Sequence, residues 1–327
     1  MSVKTSLDEV SDKGEFKRTD SVFRDWIENK EGAKFKPEAG RYVLYISYAC
    51  PWACRCNTVR VQKGLENVID FVVVEPIWDS ISETAKGWVL PASEELVKVP
   101  GSTPDKYNGV TSIRELYLKA NADYSGKFTV PVLWDLHNQT IVNNESSEII
   151  RMFNKEFDAF AEHPEVDFVP AHLEAEINRL NEWMYNSINN GVYRCGFARS
   201  QEAYETAFYE LFKALDEAEE LLGQKRFLTG NQFTEADLRL FCTLIRFDAV
   251  YVGHFKCNRN RIEDFHNLSN WLRDIYQLEG IKKTVEMTHI KKHYHGSHPS
   301  INPLGIVPVG PLLDFDRPHD RLSLFPN

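Results

Sequence analysis

The residue with the clearest chemical potential is Cys50, which follows a short apolar run and directly precedes Pro51. Proline fits the first position of a helix, where a backbone N–H would have no partner, so Cys50 is predicted to lie at a helix N-terminus. Unpaired backbone donors and the positive end of the helix dipole stabilise a thiolate there. We therefore predict that the pKa of Cys50 lies below its usual value of about 8.5 and that Cys50 is a nucleophile.

Two further cysteines, Cys54 and Cys56, lie close behind Cys50 in the sequence. No C-x-x-C pair is present, because Ala53 occupies the position that a resolving cysteine would take. We therefore expect an external thiol to resolve any sulfur bonded to Cys50. Cys54 is then a core thiol or, alternatively, a backup resolving thiol. The six cysteines have no framework spacing, so we expect thiols in a reducing compartment.

A second group of residues has the types that bind a small peptide. Val130-Pro131 opens a predicted strand, where an edge or cis proline is expected, and a cis bond would present the Val130 backbone to a peptide-like ligand. Glu145 and Ser146 stand just ahead of a predicted helix and offer a carboxylate for an ammonium group and a hydroxyl for a carboxylate. This chemistry suits the γ-glutamyl end of glutathione, and ordinary helix capping is the alternative.

Four of the ten histidines fall between His289 and His298, and H-x-x-x-H spacing places His289 and His293 on one helix face. We expect no metal there, because the segment has no HExxH motif and Lys291 and Lys292 would repel a cation. The chain also has no Walker loop, GxGxxG or GxSxG motif. This argues against nucleotide kinases, dinucleotide oxidoreductases and serine hydrolases.

The composition is that of a folded protein. With 327 residues, 43% hydrophobic and 26% charged, the chain is expected to form two domains. Its formal net charge is −10, and such an acidic surface repels phosphate, so we expect no nucleic-acid partner. We find neither an apolar signal-peptide stretch nor a run of roughly 18 apolar residues, so we expect a cytoplasmic protein without a membrane partner.

The elements that must position these residues follow from the apolar pattern. Short β-branched and aromatic runs predict four strands, at residues 42–46, 68–74, 129–134 and 140–143. A helix from Pro51 between the first two makes a βαβ unit with parallel pairing, and the last two form a hairpin that precedes a helix over 148–154. The long segment 75–127 is rich in Pro, Gly and Ser and carries one helical patch over 111–120, and a loop of this length usually has a function.

The second half of the chain has the pattern of helices. One apolar stripe runs over 173–184 and is expected to end at Gly191, and another runs over 204–222 and ends at Gly223. Thr234 and Asp237 form a capping box at the start of a further buried helix.

Five segments carry a family resemblance: YACPWACR at 48–55, TVPVLWD at 129–135, NNESSEIIRMFN at 143–154, GVYRCGFA at 191–198 and HIKKHYHGSHPSINPLGIVPVGP at 289–311. They resemble the glutathionyl-hydroquinone reductases, the xi class of glutathione transferases. The resemblance covers residues 41–311. It implies an α/β thioredoxin-like N-terminal domain plus an all-α C-terminal domain, and a homodimer.

We therefore predict four parts of the chain. They are an N-terminal arm at 1–40, a thioredoxin-like glutathione-binding domain at 41–160, an all-helical substrate domain at 161–298 and a proline-rich C-terminal strap at 299–327. The arm is polar, and we expect it to be held by its aromatic residues Phe16, Phe23 and Trp26.

Carried over residue by residue, the resemblance implies a glutathione site. Glu145 and Ser146 would hold the γ-glutamyl group, and Val130 would pair with the cysteinyl backbone. Trp88 and Arg114, in the long insertion, resemble the glutathione-contacting tryptophan and basic residue of the family. Glutathione is thus the expected cosubstrate, and no metal is expected.

The resemblance also implies the reaction. Cys50 would attack the sulfur of a glutathionyl-hydroquinone, with Tyr193 and Tyr294 assisting proton transfer to the aromatic carbon. His295 stands where a second tyrosine is expected, which leaves the preferred quinol open. Two alternatives remain: an omega-like thiol transferase or dehydroascorbate reductase that needs Cys50 but not the tyrosine pair, and a non-catalytic binding module of the same fold.

Overall fold

The computed structural model describes residues 9–79 and 87–326, which group into two compact units. The first unit contains residues 19–166 and 283–306, and the second contains 9–18, 167–282 and the residues from 307 onward. This grouping differs from the predicted division, because 283–306 belongs to the first unit and the N-terminal arm is divided between the two.

The first unit is built on a four-stranded sheet. Its strands are β1 (Tyr42–Ile46), β2 (Asp70–Val73), β3 (Val132–Asp135) and β4 (Thr140–Asn143), in the order β2-β1-β3-β4. Strands β1 and β2 are parallel, and β3 is antiparallel to both β1 and β4. All residues of β1 and β3 are buried, and all but one are apolar or aromatic. The exception is Asp135, which accepts a hydrogen bond from Arg41 at 2.8 Å. The predicted βαβ unit and hairpin are confirmed.

Three helices of this unit lie close to the predicted positions: α1 (Pro51–Gln62), α2 (Ile113–Ala120) and α3 (Ser146–Lys155). Helix α2 is capped by Ser112, whose hydroxyl accepts a hydrogen bond from the Glu115 N–H at 3.3 Å. Helices α1 and α3 pack against each other, and α1 is buried around nearly its whole circumference. The start of α1, which has no side-chain cap, is therefore fixed by the core.

The part of the N-terminal arm in the first unit runs along α2 and β4. Phe23 packs edge-on against Tyr117 with ring centroids 5.6 Å apart, and Arg24 forms a backbone bridge with Asn143. Ile27 forms a similar bridge with Phe35, and both side chains are fully buried. Apolar side chains therefore anchor the arm, as the sequence predicts for Phe23.

The second unit is helical, with α4 (Glu174–Met184), α5 (Gly191–Gly196), α6 (Gln201–Leu222), α7 (Glu235–Leu244) and α8 (His266–Tyr276). One prediction was wrong: Gly191 begins α5 instead of ending a helix. The chain continues from α4 through a wide helical turn at Tyr185–Asn189, so no left-handed residue is needed there. A Cβ on Gly191 would lie 3.7 Å from Leu211 Cδ1, because α5 packs closely on α6.

The predicted capping box at the start of α7 is present and buried. Asp237 Oδ2 accepts hydrogen bonds from the backbone N–H and the hydroxyl of Thr234, at 3.2 and 3.1 Å. Its Oδ1 accepts from the Leu228 N–H at 2.8 Å and from the Trp271 indole N–H at 3.1 Å. One carboxylate thus joins the start of α7 to the preceding loop and to α8.

The end of the chain contains α9 (Met287–Ser297), which belongs to the first unit, and the short helix α10 (Arg321–Leu324). Between them the predicted strap is extended, and four of its apolar side chains are between 65% and 95% exposed: Leu304, Ile306, Val309 and Leu312. Within residues 9–79 and 87–326, no helix has the length and apolar character needed to cross a bilayer.

Candidate active site

The Cys50 thiol lies at the start of α1, as predicted. Cys50 occupies the N-cap position in an extended conformation, and its carbonyl accepts the hydrogen bond from the Cys54 N–H at 2.9 Å. Pro51 takes the first helical position, where no amide proton is needed. The Cys50 Sγ lies 3.4 Å from the Val130 carbonyl oxygen. All six cysteines are within the described residues, none forms a disulfide, and only Cys50 is not buried.

The two neighbouring cysteines have a different environment. Cys54 is buried, with its Sγ 3.8 Å from the Thr284 carbonyl oxygen. Cys56 is fully buried, its Sγ lies 3.9 Å from the Ser146 carbonyl oxygen, and burial raises the pKa of its thiol well above the usual value. Both therefore fit the interpretation of core thiols.

The backbone of Val130 lies next to the Cys50 thiol. The Val130-Pro131 peptide bond is cis, which was one of the two arrangements predicted. The alternative, a proline on an edge strand, does not apply, since β3 lies between β1 and β4. Pro131 directly precedes β3, so the missing N–H interrupts no ladder.

Glu145 and Ser146 meet at the N-terminus of α3. The Glu145 Oε1 caps the helix by accepting from the Ser147 N–H and hydroxyl, at 3.1 and 3.0 Å. Its Oε2 accepts a hydrogen bond at 3.2 Å from the hydroxyl of Ser21, which comes from the N-terminal arm. The Ser146 side chain is buried, and its Oγ has no hydrogen-bond partner among the described residues. Capping explains the position of Glu145 but does not involve the Ser146 hydroxyl.

Trp88 and Arg114 lie in the insertion between β2 and β3. The Trp88 ring is buried and stacks on His293, with ring centroids 4.5 Å apart and planes inclined by 25°. Arg114 is half-buried on α2, and its guanidinium carbon is 5.8 Å from the centre of the Phe128 ring. Within the described residues Arg114 makes no ion pair, so its charge is open to an anionic group.

The predicted catalytic tyrosines lie in different units. Tyr294, on α9 of the first unit, is almost completely buried between the rings of His293 and His298, at 5.1 and 5.7 Å. Tyr193 is on α5 of the second unit, also buried. Because the two tyrosines lie in different units, it stays a prediction that both hydroxyls act on the same substrate.

Tyr193 is surrounded by aromatic rings and one cation. The Arg18 guanidinium carbon lies 5.1 Å from the centre of the Tyr193 ring, and Arg18 Nε donates to Asn190 Oδ1 at 3.1 Å. Phe16 stacks on the same ring at 6.3 Å, so it is one of the aromatic anchors that the sequence predicts. A cation held over a phenol ring stabilises it and orients it.

The sequence analysis missed several residues that contact the predicted site residues. Ser21 and Arg18 belong to a polar arm whose sequence has no recognisable pattern. His293 was considered only as a metal ligand, yet its ring packs on Trp88. The described part of the chain contains no group of three or more His, Cys, Asp and Glu side chains that could hold a metal ion.

Comparisons with known proteins agree with this architecture. The family model "Glutathione S-transferase, N-terminal domain" matches residues 49–156, and "Glutathione S-transferase, C-terminal domain" matches residues 201–274. Glutathionyl-hydroquinone reductase YqjG of Escherichia coli is 48% identical, over 97% of this chain and 95% of that protein. Glutathionyl-hydroquinone reductase PcpF of Sphingobium chlorophenolicum is 45% identical, over 93% and 92%.

Solved structures give the same relationship. The glutathione-bound structure of YqjG has a TM-score of 0.86 at 48% identity and covers 92% of this chain and 96% of its own. The glutathione-S-transferase Xi from Phanerochaete chrysosporium has a TM-score of 0.89 at 47% identity and covers 95% and 97%. This chain therefore belongs to the xi class of glutathione transferases, the family of the glutathionyl-hydroquinone reductases.

Proposed function

We propose that the protein is a glutathione-dependent reductase that removes glutathione from glutathionyl-hydroquinones through a mixed disulfide at Cys50. The observation that carries the proposal is the half-buried Cys50 thiol at the start of α1, 3.4 Å from the Val130 carbonyl. A thiol at this position forms disulfides, whereas conjugating transferases activate glutathione with a Ser or Tyr hydroxyl. The 48% identity to a protein named as such a reductase supports the same reaction.

The reaction has two steps. In the first, the Cys50 thiolate attacks the sulfur of the substrate thioether, an S–S bond forms, and the bond from sulfur to the aromatic carbon breaks. The electron pair of that bond stays with the carbon, which takes up a proton and leaves as hydroquinone. In the second, the thiolate of another glutathione attacks the mixed disulfide, releases oxidised glutathione and restores the Cys50 thiolate.

The glutathione site proposed here is formed by Trp88, Arg114, Val130, Glu145 and Ser146. The Glu145 carboxylate would pair with the γ-glutamyl ammonium, and the unpartnered Ser146 hydroxyl with the neighbouring α3 backbone donors would receive the γ-glutamyl carboxylate. The Val130 backbone would pair with the cysteinyl residue, which brings its sulfur to Cys50. The glutathione bound in the YqjG structure supports this ligand.

Tyr193 and Tyr294 are proposed as the groups that deliver the proton to the aromatic carbon. Each hydroxyl belongs to a ring held by aromatic neighbours, which limits its motion. A positioned acid of this kind contributes typically about 100-fold or more to a rate.

Two properties of the whole protein belong to the same proposal. We propose a homodimer, supported by the family resemblance and by the exposed apolar side chains of the strap. We also propose a cytoplasmic location, where the glutathione pool keeps Cys50 and the buried thiols reduced.

The second candidate function is an omega-like thiol transferase. It is supported by a relative from Schizosaccharomyces pombe named glutathione S-transferase omega-like 2, which is 45% identical over 91% of this chain and 94% of its own length. Such an enzyme would use Cys50 in the same way but would need no proton donor for a carbon atom.

A substrate panel tests the proposal. The enzyme is assayed with a glutathionyl-hydroquinone, hydroxyethyl disulfide, dehydroascorbate and a chloronitrobenzene, all with glutathione. We expect turnover of the glutathionyl-hydroquinone and of the disulfide, and loss of both activities in Cys50→Ser but not in the control Cys54→Ser. Dehydroascorbate as the best substrate, without turnover of the thioether, would favour the omega-like function. Conjugation of the chloronitrobenzene by Cys50→Ser at the wild-type rate would contradict a cysteine mechanism.

A further inference from the structure

We propose that His293 is a positioning residue of the glutathione site and that it sets the orientation of the Trp88 ring. The proposal rests on the proposed function, because it takes Trp88 as a glutathione contact. It also gives a role to one of the histidines of α9.

The first observation is how the backbone around Trp88 is held. The Trp88 carbonyl accepts from the Ile113 N–H at 3.0 Å, and the Val89 carbonyl accepts from the Glu75 N–H at 2.9 Å. Val89 also forms a backbone bridge with Ser112. The main chain at this point is therefore fixed, and the remaining freedom belongs to the indole side chain.

The second observation is what holds the indole. His293 lies parallel to it at 4.5 Å, whereas Trp78 meets both rings edge-on, at 5.5 Å from Trp88 and 5.2 Å from His293. Offset stacking of two rings with an edge-on third leaves little room for rotation about the side-chain bonds. His293 therefore forms the flat surface on which the Trp88 ring rests.

The third observation is what holds His293. Its Nδ1 lies 2.9 Å from the Pro76 carbonyl oxygen. A carbonyl can only accept, so Nδ1 carries the proton and the ring is fixed in one tautomer and one orientation. The hydrogen bond to Pro76 therefore orients the His293 ring, and the His293 ring orients the Trp88 ring.

One helical turn earlier, His289 makes an equivalent bond without touching Trp88. Its Nε2 lies 2.9 Å from the Pro100 carbonyl oxygen. A side chain on Gly101 would bring its Cβ within 3.2 Å of this nitrogen, and Gly101 has a φ of +100° that favours glycine. The two histidines thus bond to the Pro76 and Pro100 carbonyls, but only His293 stacks on Trp88, which makes His289 a matched control.

The experiment separates stacking from hydrogen bonding with two substitutions. His293→Asn keeps an N–H close to the position of Nδ1 and removes the ring, and His293→Phe keeps the ring and removes the N–H. The control His289→Phe removes the other histidine bond. Each variant is measured for the calorimetric Kd of reduced glutathione, for kcat and KM with a glutathionyl-hydroquinone, and for Tm.

We expect His293→Asn to raise the Kd of reduced glutathione and the KM of the glutathionyl-hydroquinone by 10-fold or more. His293→Phe, which restores the stacking surface, should keep the Kd within 3-fold, as should His289→Phe. An unchanged Kd in His293→Asn would overturn the proposal. So would an equal rise in His293→Asn and His289→Phe, because that would indicate a general effect of changing a histidine of α9.

Trp88→Leu distinguishes failure of this proposal from failure of the proposed site. If Trp88→Leu weakens glutathione binding and His293→Asn does not, the positioning role is wrong and the glutathione site stands. If Trp88→Leu binds glutathione like wild type, Trp88 is not a glutathione contact and both claims about this residue are overturned. Should His293→Asn have a Tm well below that of wild type, the Kd values are compared at a temperature at which both proteins are fully folded.

Discussion

At the scale of single residues, exposure separates the cysteines more clearly than sequence position does. Cys50, Cys54 and Cys56 lie within seven positions of one another, yet only Cys50 is accessible to a disulfide. Burial disfavours the thiolate of Cys56 and raises its pKa. We predict the opposite effect of the helix N-terminus on the Cys50 thiol.

We therefore predict that oxidised glutathione adds one glutathionyl group to the protein, at Cys50. The helix-start environment favours the attacking thiolate, and the buried thiols are out of reach of the disulfide. Intact-mass analysis with peptide mapping measures the site, and Cys50→Ser should show no added mass. Modification of Cys54, Cys56 or Cys257 with Cys50 spared would contradict the assignment.

The tyrosines give a second prediction at this scale. Tyr193→Phe and Tyr294→Phe keep the ring and remove only the hydroxyl, so each should lower turnover of a glutathionyl-hydroquinone by about 100-fold or more. Thiol exchange with hydroxyethyl disulfide, which needs no proton on carbon, should stay within a few-fold.

Tyr204→Phe is the control for this pair. It removes a tyrosine hydroxyl that bonds to the Lys256 carbonyl, outside the proposed site, and should change neither rate. Equal losses in the two assays for Tyr193→Phe and Tyr294→Phe would show that these hydroxyls support the fold instead of the proton transfer.

At the scale of elements, the start of each helix is where polar chemistry is concentrated. Cys50 begins α1, Glu145 begins α3, and Asp237 caps α7 from its first turn. The first two belong to the glutathione site proposed here, whereas Asp237 is fully buried and bonds to residues of its own unit. The unpaired N–H groups at a helix start thus lie at the proposed site in two helices, whereas in the third they contribute to stability.

We predict that Asp237→Ala lowers the free energy of unfolding by about 2–4 kcal/mol, because it removes a cap and leaves buried donors without an acceptor. Chemical denaturation measures the change. The matched control is Asp264→Ala, which removes an exposed capping carboxylate and should cost less than about 1 kcal/mol. Equal effects of the two substitutions would contradict the role of burial.

Asp237 also makes the stability of the fold depend on pH. Burial raises its pKa from 3.8 to about 6, with the four hydrogen bonds opposing the rise. Between these values the folded protein binds a proton that the unfolded chain has lost, so this residue makes the fold less stable as pH rises through that window. Asp237→Asn should remove this part of the pH dependence, and denaturation series at several pH values between 4 and 7 measure it.

At the scale of the whole molecule, the strap leaves apolar side chains in contact with solvent. Leu304, Ile306, Val309 and Leu312 fall within nine positions, and isolated exposed apolar residues are common whereas clusters along one segment mark association. We therefore predict a homodimer.

Light scattering at micromolar concentration should give twice the chain mass of 37.8 kDa. Cys50→Ser should have the same mass, since association does not depend on catalysis. A monomeric mass over the full dilution series would remove the homodimer and leave the catalytic proposal intact, because the Cys50 site and the predicted tyrosines belong to one chain.

The sequence by itself determined the features that depend on neighbouring residues. The strand, Cys50, Pro51 and helix order, the hairpin and the Thr234–Asp237 capping box all lie within short windows, where backbone preference and apolar period act directly. The five segments that resemble the family predicted the remaining site residues.

Only the tertiary structure decided which distant residues meet. Ser21 bonds to Glu145 across 124 positions, and His293 bonds to Pro76 across 217. The placement of α9 in the first unit and the role of Gly191 as the start of a helix depend equally on packing. Such contacts leave no periodic pattern, because a side chain's partner is set by how whole elements bury their apolar surfaces and not by the residues beside it.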